Sequence, residues 1–467
     1  MIRNVIALLA ALVPLSANGV PAQEPASDHH TLDSVFTLAD ALELAEHRNP
    51  GIAHARNAVG SAGAERLAAR AAFLPSISAS TFFDVTRVRR FTTTDVFGDP
   101  AEREEAVEAT TRGAQQAAFL DLTLFDGGET LAAARAAGAR YDASQAALEA
   151  TLGRIRADVS RAYFDLLERR ATIEVERAIL EARQRDVEST ERLFRVVAAD
   201  QIDVLGARIE ARRQEAAVAT AEEAAVAARL ELGRIMGTQI DPRARLETPL
   251  EPLDPDSLDV EVLVRGALES HPEIRQLAAE LGAAEAETWD DGWLAYLPEV
   301  AASASYRRSE FGGTGQSLFE LDPRDTASSF GLHLTLPVFD RFARRVERAQ
   351  ARTAAADARE ALRARRMAAG TEVRSRLLDL RTAWRELGVE KETAAMARER
   401  SELAREKYEV GAIDFTRLQE VVDEGTAAER ALVQRRFDYH RAMAELERTV
   451  GRTIALPSAG GAEPDAP

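Results

Sequence analysis

Cysteine is absent from the 467-residue chain, which excludes a disulfide framework, a thiolate metal site, a cysteine nucleophile and a lipidated amino-terminal cysteine. Lysine occurs only as Lys391 and Lys407, so arginine supplies nearly all the positive charge. The formal net charge is −18, which argues against nucleic acid as a partner. No apolar run reaches the roughly 18 residues that a membrane-spanning helix needs. Gly-rich phosphate loops, His-Glu-x-x-His and Gly-x-Ser-x-Gly are also missing. The seven histidines are scattered, with His29 and His30 near the mature start, and the five methionines form no metal-relay stripe. The expectation is a protein that is not an enzyme and holds neither metal nor cofactor.

What is present begins with an export signal. Arg3 precedes an apolar run from Val5 to Leu12, Pro14 follows, and Val20-Pro21-Ala22 offers small residues ahead of Gln23. Residues 1–22 have the form of a secretory signal peptide, too short in its apolar part to anchor the chain. Residues 23–36 are expected to be a disordered mature start and 452–467 a disordered tail.

Landmarks then occur twice in the same order. Pro50 answers to Pro272, Leu74-Pro75 to Leu297-Pro298, Phe125-Asp126 to Phe339-Asp340, and Gly237 to Gly451. The offset is 222 or 223 before the middle of each copy and 214 after it, so the first copy has a loop nine residues longer. A tandem duplication is the expected cause, with residues 37–237 and 257–451 as two interlocked halves and 238–256 as a Pro-rich linker.

Proline is missing between Pro100 and Pro242, and again from Val338 to Leu456, which leaves room for unusually long helices. Val159, Leu166, Ile173, Leu180, Val187 and Phe194 fall seven apart, a coiled-coil seam that predicts a helix over 130–196, roughly 95 Å long. Val373, Leu377, Leu380, Trp384 and Leu387 repeat it in a helix predicted over 340–410. Returning helices follow at 202–237 and 415–451, and shorter helices near 52–73 and 273–293 precede each copy's strands. Alanines at 216, 217, 219, 221, 224, 225, 227 and 228 either let neighbouring backbones approach or simply favour helix.

Four segments change period. Ile77, Ala79, Thr81, Phe83 and Val85 alternate with Ser78, Ser80, Phe82 and Asp84, and Leu120, Leu122 and Leu124 alternate with Phe119, Asp121 and Thr123. Val300, Ala302, Ala304 and Tyr306, then Phe330, Leu332, Leu334 and Leu336, do the same in the second copy, giving hairpins at 76–125 and 299–336. Each strand has about the ten residues a tilted strand needs to cross a bilayer, although a soluble sheet gives the same pattern. Four strands cannot close a cylinder, so a barrel here requires several copies of the chain. Segments 87–115 and 308–326, rich in Asp, Glu, Gly and Thr, are predicted to be external loops.

From Thr37-Leu38-Ala39-Asp40-Ala41-Leu42 to Val450-Gly451, the chain resembles the TolC-like outer-membrane factors of tripartite efflux pumps and type I secretion systems. The resemblance rests on Asn49-Pro50 and His271-Pro272, the two Leu-Pro pairs that open strands, and Tyr408-Glu409-Val410-Gly411-Ala412-Ile413-Asp414. It implies an α+β membrane protein: a homotrimer with a twelve-stranded outer-membrane barrel in lipid, continued by a coiled-coil tunnel into the periplasm. It also implies a periplasmic adaptor and an inner-membrane transporter as partners, with the channel itself passive. A soluble periplasmic coiled-coil scaffold is the alternative.

In such proteins the turns between long and returning helices dock the adaptor. Here the tips are Val197, Ala198, Ala199 and Asp200, and Gly411, Ala412, Ile413 and Asp414. The resemblance places a periplasmic gate just past the second tip, at Arg417 and Glu420, with Asp423 and Glu424 one turn on. Only Glu420 keeps the acidic type the family carries at the first two positions; Arg417 is expected either to pair with a carboxylate of a neighbouring subunit and hold the tunnel shut, or to lie with the other charges on a solvated helix face. Asp200 and Asp414 sit where capping residues start the returning helices.

Overall fold

The computed structural model describes residues 35–94, 100–196, 199–242, 244–247, 252, 254–288, 297–312, 323–336, 338–452 and 454. The signal peptide, Val197 and Ala198 of the first tip, and all of the tail except Arg452 and Ile454 lie outside these residues.

After a two-residue strand β1 (Val35–Phe36), the first half runs α1 (Leu38–Arg48), α2 (Pro50–Ala71), β2 (Ser76–Thr94), β3 (Pro100–Phe125), α3 (Glu129–Arg195) and α4 (Gln201–Met236). The connection holds β4 (Arg245–Leu246) and a 3₁₀ turn at Pro255–Ser257. The second half runs α5 (Val260–Ser270), α6 (Pro272–Glu287), β5 (Glu299–Gly312), β6 (Asp325–Thr335), α7 (Ala343–Glu409) and α8 (Phe415–Val450). Helices α3 and α7 have 67 residues each, α4 and α8 have 36 each.

Local chemistry explains the boundaries. Thr37 and Asp40 form a capping box that starts α1, and Asn49 ends it while its Oδ1 accepts from the Gly51 and Ile52 amides of α2. His271 does the same for α6 through Nδ1, with Pro272 in the first helical turn. Each Phe-Asp pair turns strand into long helix: Asp126 accepts from the Gly128 and Thr130 amides, Asp340 from those of Phe342 and Arg344. The left-handed positions are Gly127 and Gly128 in the first copy, but Arg341 and Phe342 in the second.

Helices α1 and α5, 11 residues each, precede the predicted short helices, and residues 35–36 are not part of a structureless start. They pair in parallel with Arg245–Leu246, so the linker is structured there as well. Tyr163 on α3 ties this pair to the core, its hydroxyl donating to the carbonyls of Phe36 at 2.9 Å and Glu247 at 3.2 Å. Burial pushes that phenol up to about 12. Ile454, at the start of the predicted tail, packs beside Leu446 and Val450 and donates its amide to Glu447 at 3.0 Å.

The short helices meet end to end. Gly237 ends α4 at φ 76°, and Asn49 Nδ2 at the start of α2 donates to Ile235 O at 2.6 Å. A Cβ on Gly237 lies 2.4 Å from Arg48 O, whereas one on Gly451, also left-handed at φ 78°, finds its nearest atom at 3.5 Å on Pro272. Gly451→Ala is expected to cost about 1 kcal/mol for the positive φ, and Gly237→Ala clearly more because backbone blocks the methyl group. Urea denaturation midpoints of the two variants check this ordering.

The halves interlock through α3, which packs on α2 and α4 of its own half and on α6 and α8 of the other. Ile52, Val159, Leu166, Leu232, Met236 and Phe437 form the core there, and Val373, Leu377, Leu380, Leu446 and Val450 form a second one along α7. Of the eight alanines on α4 only Ala228 is buried, so within one chain the run serves helix propensity.

The four long strands form one antiparallel sheet, ordered β2-β3-β5-β6. Residues 87–115 are not a loop: pairing of β2 with β3 continues to Thr94 opposite Pro100. Residues 308–326 likewise include strand from both sides, since β5 runs to Gly312 and β6 starts at Asp325. Polar composition suggested loops, but charged and threonine side chains suit a ribbon in water, where Arg87 and Glu108 on adjacent strands form an ion pair at 2.5 Å.

Candidate functional site at the helical tips

The second tip is ordered by its own sequence. Gly411 takes φ 74°, the Ala412 amide donates to Lys407 O at 2.8 Å, and Asp414 Oδ1 accepts from the Arg417 amide at 2.7 Å. Ile413 packs with Phe415 against Ala404, Tyr408, Leu418 and Val422. In the first tip Ala199 precedes Asp200, which forms a capping box with Asp203. Gly206 on α4 leaves room for the Phe415 ring, which stands 2.9 Å from where a Cβ would be.

The predicted gate residues divide. Arg417 pairs with Glu420 of its own helix at 2.8 Å, both more than half exposed. Asp423 instead accepts from Arg183 of α3, and Glu424 from Arg400 of α7. All four are more than half exposed; two of them bind other helices, and two pair only within α8.

A buried polar seam stands behind them. Glu176, Ile179, Arg183, Asp186 and Thr190 line the inner side of α3 over four turns. Glu176, only 5% exposed, accepts both Nε and Nη2 of Arg430 at 2.6 and 2.8 Å, and Gln214 Nε2 at 2.6 Å. Burial alone raises this carboxyl, but the bonds from Arg430 and Gln214 outweigh it and hold it below its ordinary range. Arg183 donates to Gln419 and Asp423, Arg405 Nε to Asp186 at 3.1 Å, and Tyr408 to Thr190 at 3.3 Å. Three other helices, α4, α7 and α8, are thus fastened to α3 by charge-assisted bonds.

The apolar heptad misplaced this part of the seam. Val159 and Leu166 are buried as expected, but Ile173, Leu180 and Val187 are half-buried and Phe194 is exposed. The buried stripe runs three residues later, and its polar members count against a hydrophobic seam. Glu176, Arg183 and Thr190 are themselves seven apart, and that spacing was the available signal.

Among the described residues no group of acidic and histidine side chains could hold a metal ion, and no helix is long and apolar enough to cross a membrane. One sheet face is nevertheless apolar and exposed, with Ile77, Phe83, Val85, Leu124, Phe330, Leu332 and Leu334 upon it.

Long paired helices with a polar seam at their tip, joined to a sheet that is apolar on one face, define an outer-membrane channel subunit. Residues 41–238 and 263–452 match the outer membrane efflux protein family, and the chain belongs to it. It is 29% identical to protein CyaE of Bordetella pertussis over 354 residues, covering 74% of this chain and 70% of that one. The fold is similar to that of the outer-membrane channel OprN, with TM-score 0.72 at 19% identity over 89% of both chains. It is similar also to the Campylobacter jejuni CmeC outer membrane channel, with TM-score 0.72 at 15% identity over 89% of this chain and 85% of that one. The protein is thus a TolC-like channel of the outer membrane with a large helical extension into the periplasm, in a family of channels rather than enzymes.

Proposed function

We propose that three copies of the duplicated chain close a twelve-stranded barrel, and that the trimer is a passive conduit opened at its periplasmic tip by an adaptor and an inner-membrane transporter. The observation that carries this is the open sheet: among the described residues the outer edges of β2 and β6 pair with no strand, while one face is suited to lipid. Unpaired edges cannot stand in hydrocarbon, so β6 of one copy pairs with β2 of the next.

Exposed apolar residues on the helices support the same ring. Val389, Met396 and Leu403 on α7, with Val410 just past its end, form a heptad stripe left exposed among the described residues, and Ile202, Leu205 and Ile209 form another on α4. In the trimer α7 of one copy lies on α4 of its neighbour. Arg417 and Glu420 then face the narrow end as gate residues, Asp423 and Glu424 brace them, and both tips receive the adaptor.

The test is the mass of the purified mature protein in detergent together with its conductance in a planar bilayer. A trimer with discrete channels is expected, and the Met396→Glu, Leu403→Glu double variant should shift the mass towards monomer. A soluble, non-conducting species overturns the barrel.

A further inference from the structure

The halves correspond residue by residue along the tunnel helices: α7 starts and ends 214 residues after α3, and α8 starts and ends 214 residues after α4. Their surroundings nevertheless differ. Helix α3 packs on α2 and α4 of its own half and on α6 and α8 of the other, whereas the extended helix packing of α7 is with α5, α6 and α8 of its own half. In a closed ring, the first-half helices that duplication sets on the other side of α7 come from the next copy.

Shifting each contact that α3 makes with the second half by 214 names the residues that α7 offers and those it meets. The stacked pair Phe164 and His440 becomes Leu378 and Val226. Arg183 with its acceptors Gln419 and Asp423 becomes Ala397 with Leu205 and Ile209. Thr190 and Tyr408 become Ala404 and Phe194. Nothing in the shift selects apolar residues, yet Leu378, Val226, Leu205, Ile209 and Phe194 are all large hydrophobic side chains left 44–59% exposed. Asp186 and Arg405 become Arg400 and Glu191, opposite in charge again but with the signs exchanged. Glu176 and Arg430 become Glu390 and Ala216, with the exposed Arg212 one turn before Ala216 as the near cation.

We propose that α7 of each copy meets α4 and the end of α3 of the next copy in the register set by this shift, so that two kinds of joint alternate round the tip. Inside a copy the joint is held by buried charge; between copies it is mainly apolar. This rests on the trimer proposed above. The occupant of the exposed face of α7 is a second copy, because the same chain displays the complementary apolar residues at the matching positions of α3 and α4. Burial of such side chains drives association without the desolvation cost that a charged joint carries.

The experiment is thiol cross-linking of the full-length protein in detergent with a short bis-maleimide, which tolerates wider spacings than a direct disulfide. The chain has no cysteine, so a double variant carries only the two thiols introduced. Leu378→Cys with Val226→Cys, and Ala397→Cys with Ile209→Cys, are expected to give covalent dimers and trimers on a denaturing gel. Arg161→Cys with Glu445→Cys, an ion pair at 3.4 Å within one copy, should link without any gain in mass. Moving one thiol of the first pair to Ala219→Cys, about 10 Å along α4, should cut the linking about tenfold. The yield for Leu378→Cys with Val226→Cys should change less than about twofold up to roughly 1 M salt, where exposed ion pairs are screened. Equal linking in and out of register, linking only within single copies, or a larger loss with salt overturns the proposed joint. Light scattering on the same preparation separates the two proposals: a trimer in which neither pair links overturns this joint alone, and a protein that forms no trimer overturns both.

Discussion

Replacing Arg430 by methionine is expected to destabilise the periplasmic end by about 2–4 kcal/mol and to make cells leak dye through the channel. The substitution leaves Glu176, 5% exposed, with only Gln214 to satisfy it, and stranding a buried carboxylate costs far more than a surface pair contributes. The lower half of the range allows for the Arg430 side chain, which is 43% exposed and partly screened. Arg430→Lys should recover little, because a single ammonium cannot repeat the two bonds at 2.6 and 2.8 Å. Pairing Arg430→Met with Glu176→Leu should restore most of the stability, since no charge is then left without a partner. Urea denaturation and dye uptake together test this series. A double variant as damaged as the single one shows that the pair does more than neutralise itself.

Lowering the pH should weaken the fold through His440. Its ring stacks on Phe164 at 5.2 Å between centroids and contacts Phe437 and Tyr439, with Nε2 buried and lacking a partner among the described residues. Burial, reinforced by the nearby Arg436 charge, brings this imidazole down from 6.5 to about 4. Between those two values the unfolded chain holds a proton that the folded chain refuses, so stability falls as the pH drops from 6.5 towards 4. The loss amounts to about 3 kcal/mol and is complete below that range. His440→Leu should flatten the profile there while leaving the stability at pH 8 within about 1.5 kcal/mol of the wild type. Glu176, held below its ordinary range, adds a decline of the same sign at more acid pH, whereas Glu447, raised by burial, contributes in the opposite sense. Urea denaturation across pH 4–8 reads the slope.

Both residues mark where the sequence was legible and where it was not. Long Pro-free runs leave room for α3, α4, α7 and α8, and Pro50 and Pro272 stand in the first turn of α2 and α6, because a missing donor and a fixed φ act locally; α1 and α5 were not expected, and the predicted end of α6 at 293 lies outside the described residues. Alternation placed the strands, but Arg87, Glu108 and their polar neighbours concealed the outward extent of the first hairpin. At the tips, Asp200 and Asp414 cap the returning helices as local rules require. The partners of Asp423 and Glu424 come from α3 and α7, and no spacing within one helix announces a bond to Arg183 or Arg400. His440 carries no motif at all. Its character comes from aromatic side chains of α3 and α8 that meet only in the folded chain.

The central seam of the sheet joins β3 of the first half to β5 of the second, with Leu120 opposite Ala304 and Asp121 opposite Ser303. On emergence into the periplasm, the first hairpin must wait for a partner that has not yet arrived, holding an unpaired edge and an apolar face in water. Loop closure over so long a stretch is slow, and an edge of this kind invites pairing with the wrong chain. The price of an interlocked architecture is an aggregation-prone interval during biogenesis, in which Ile77, Phe83 and Leu124 are exposed before the sheet is complete.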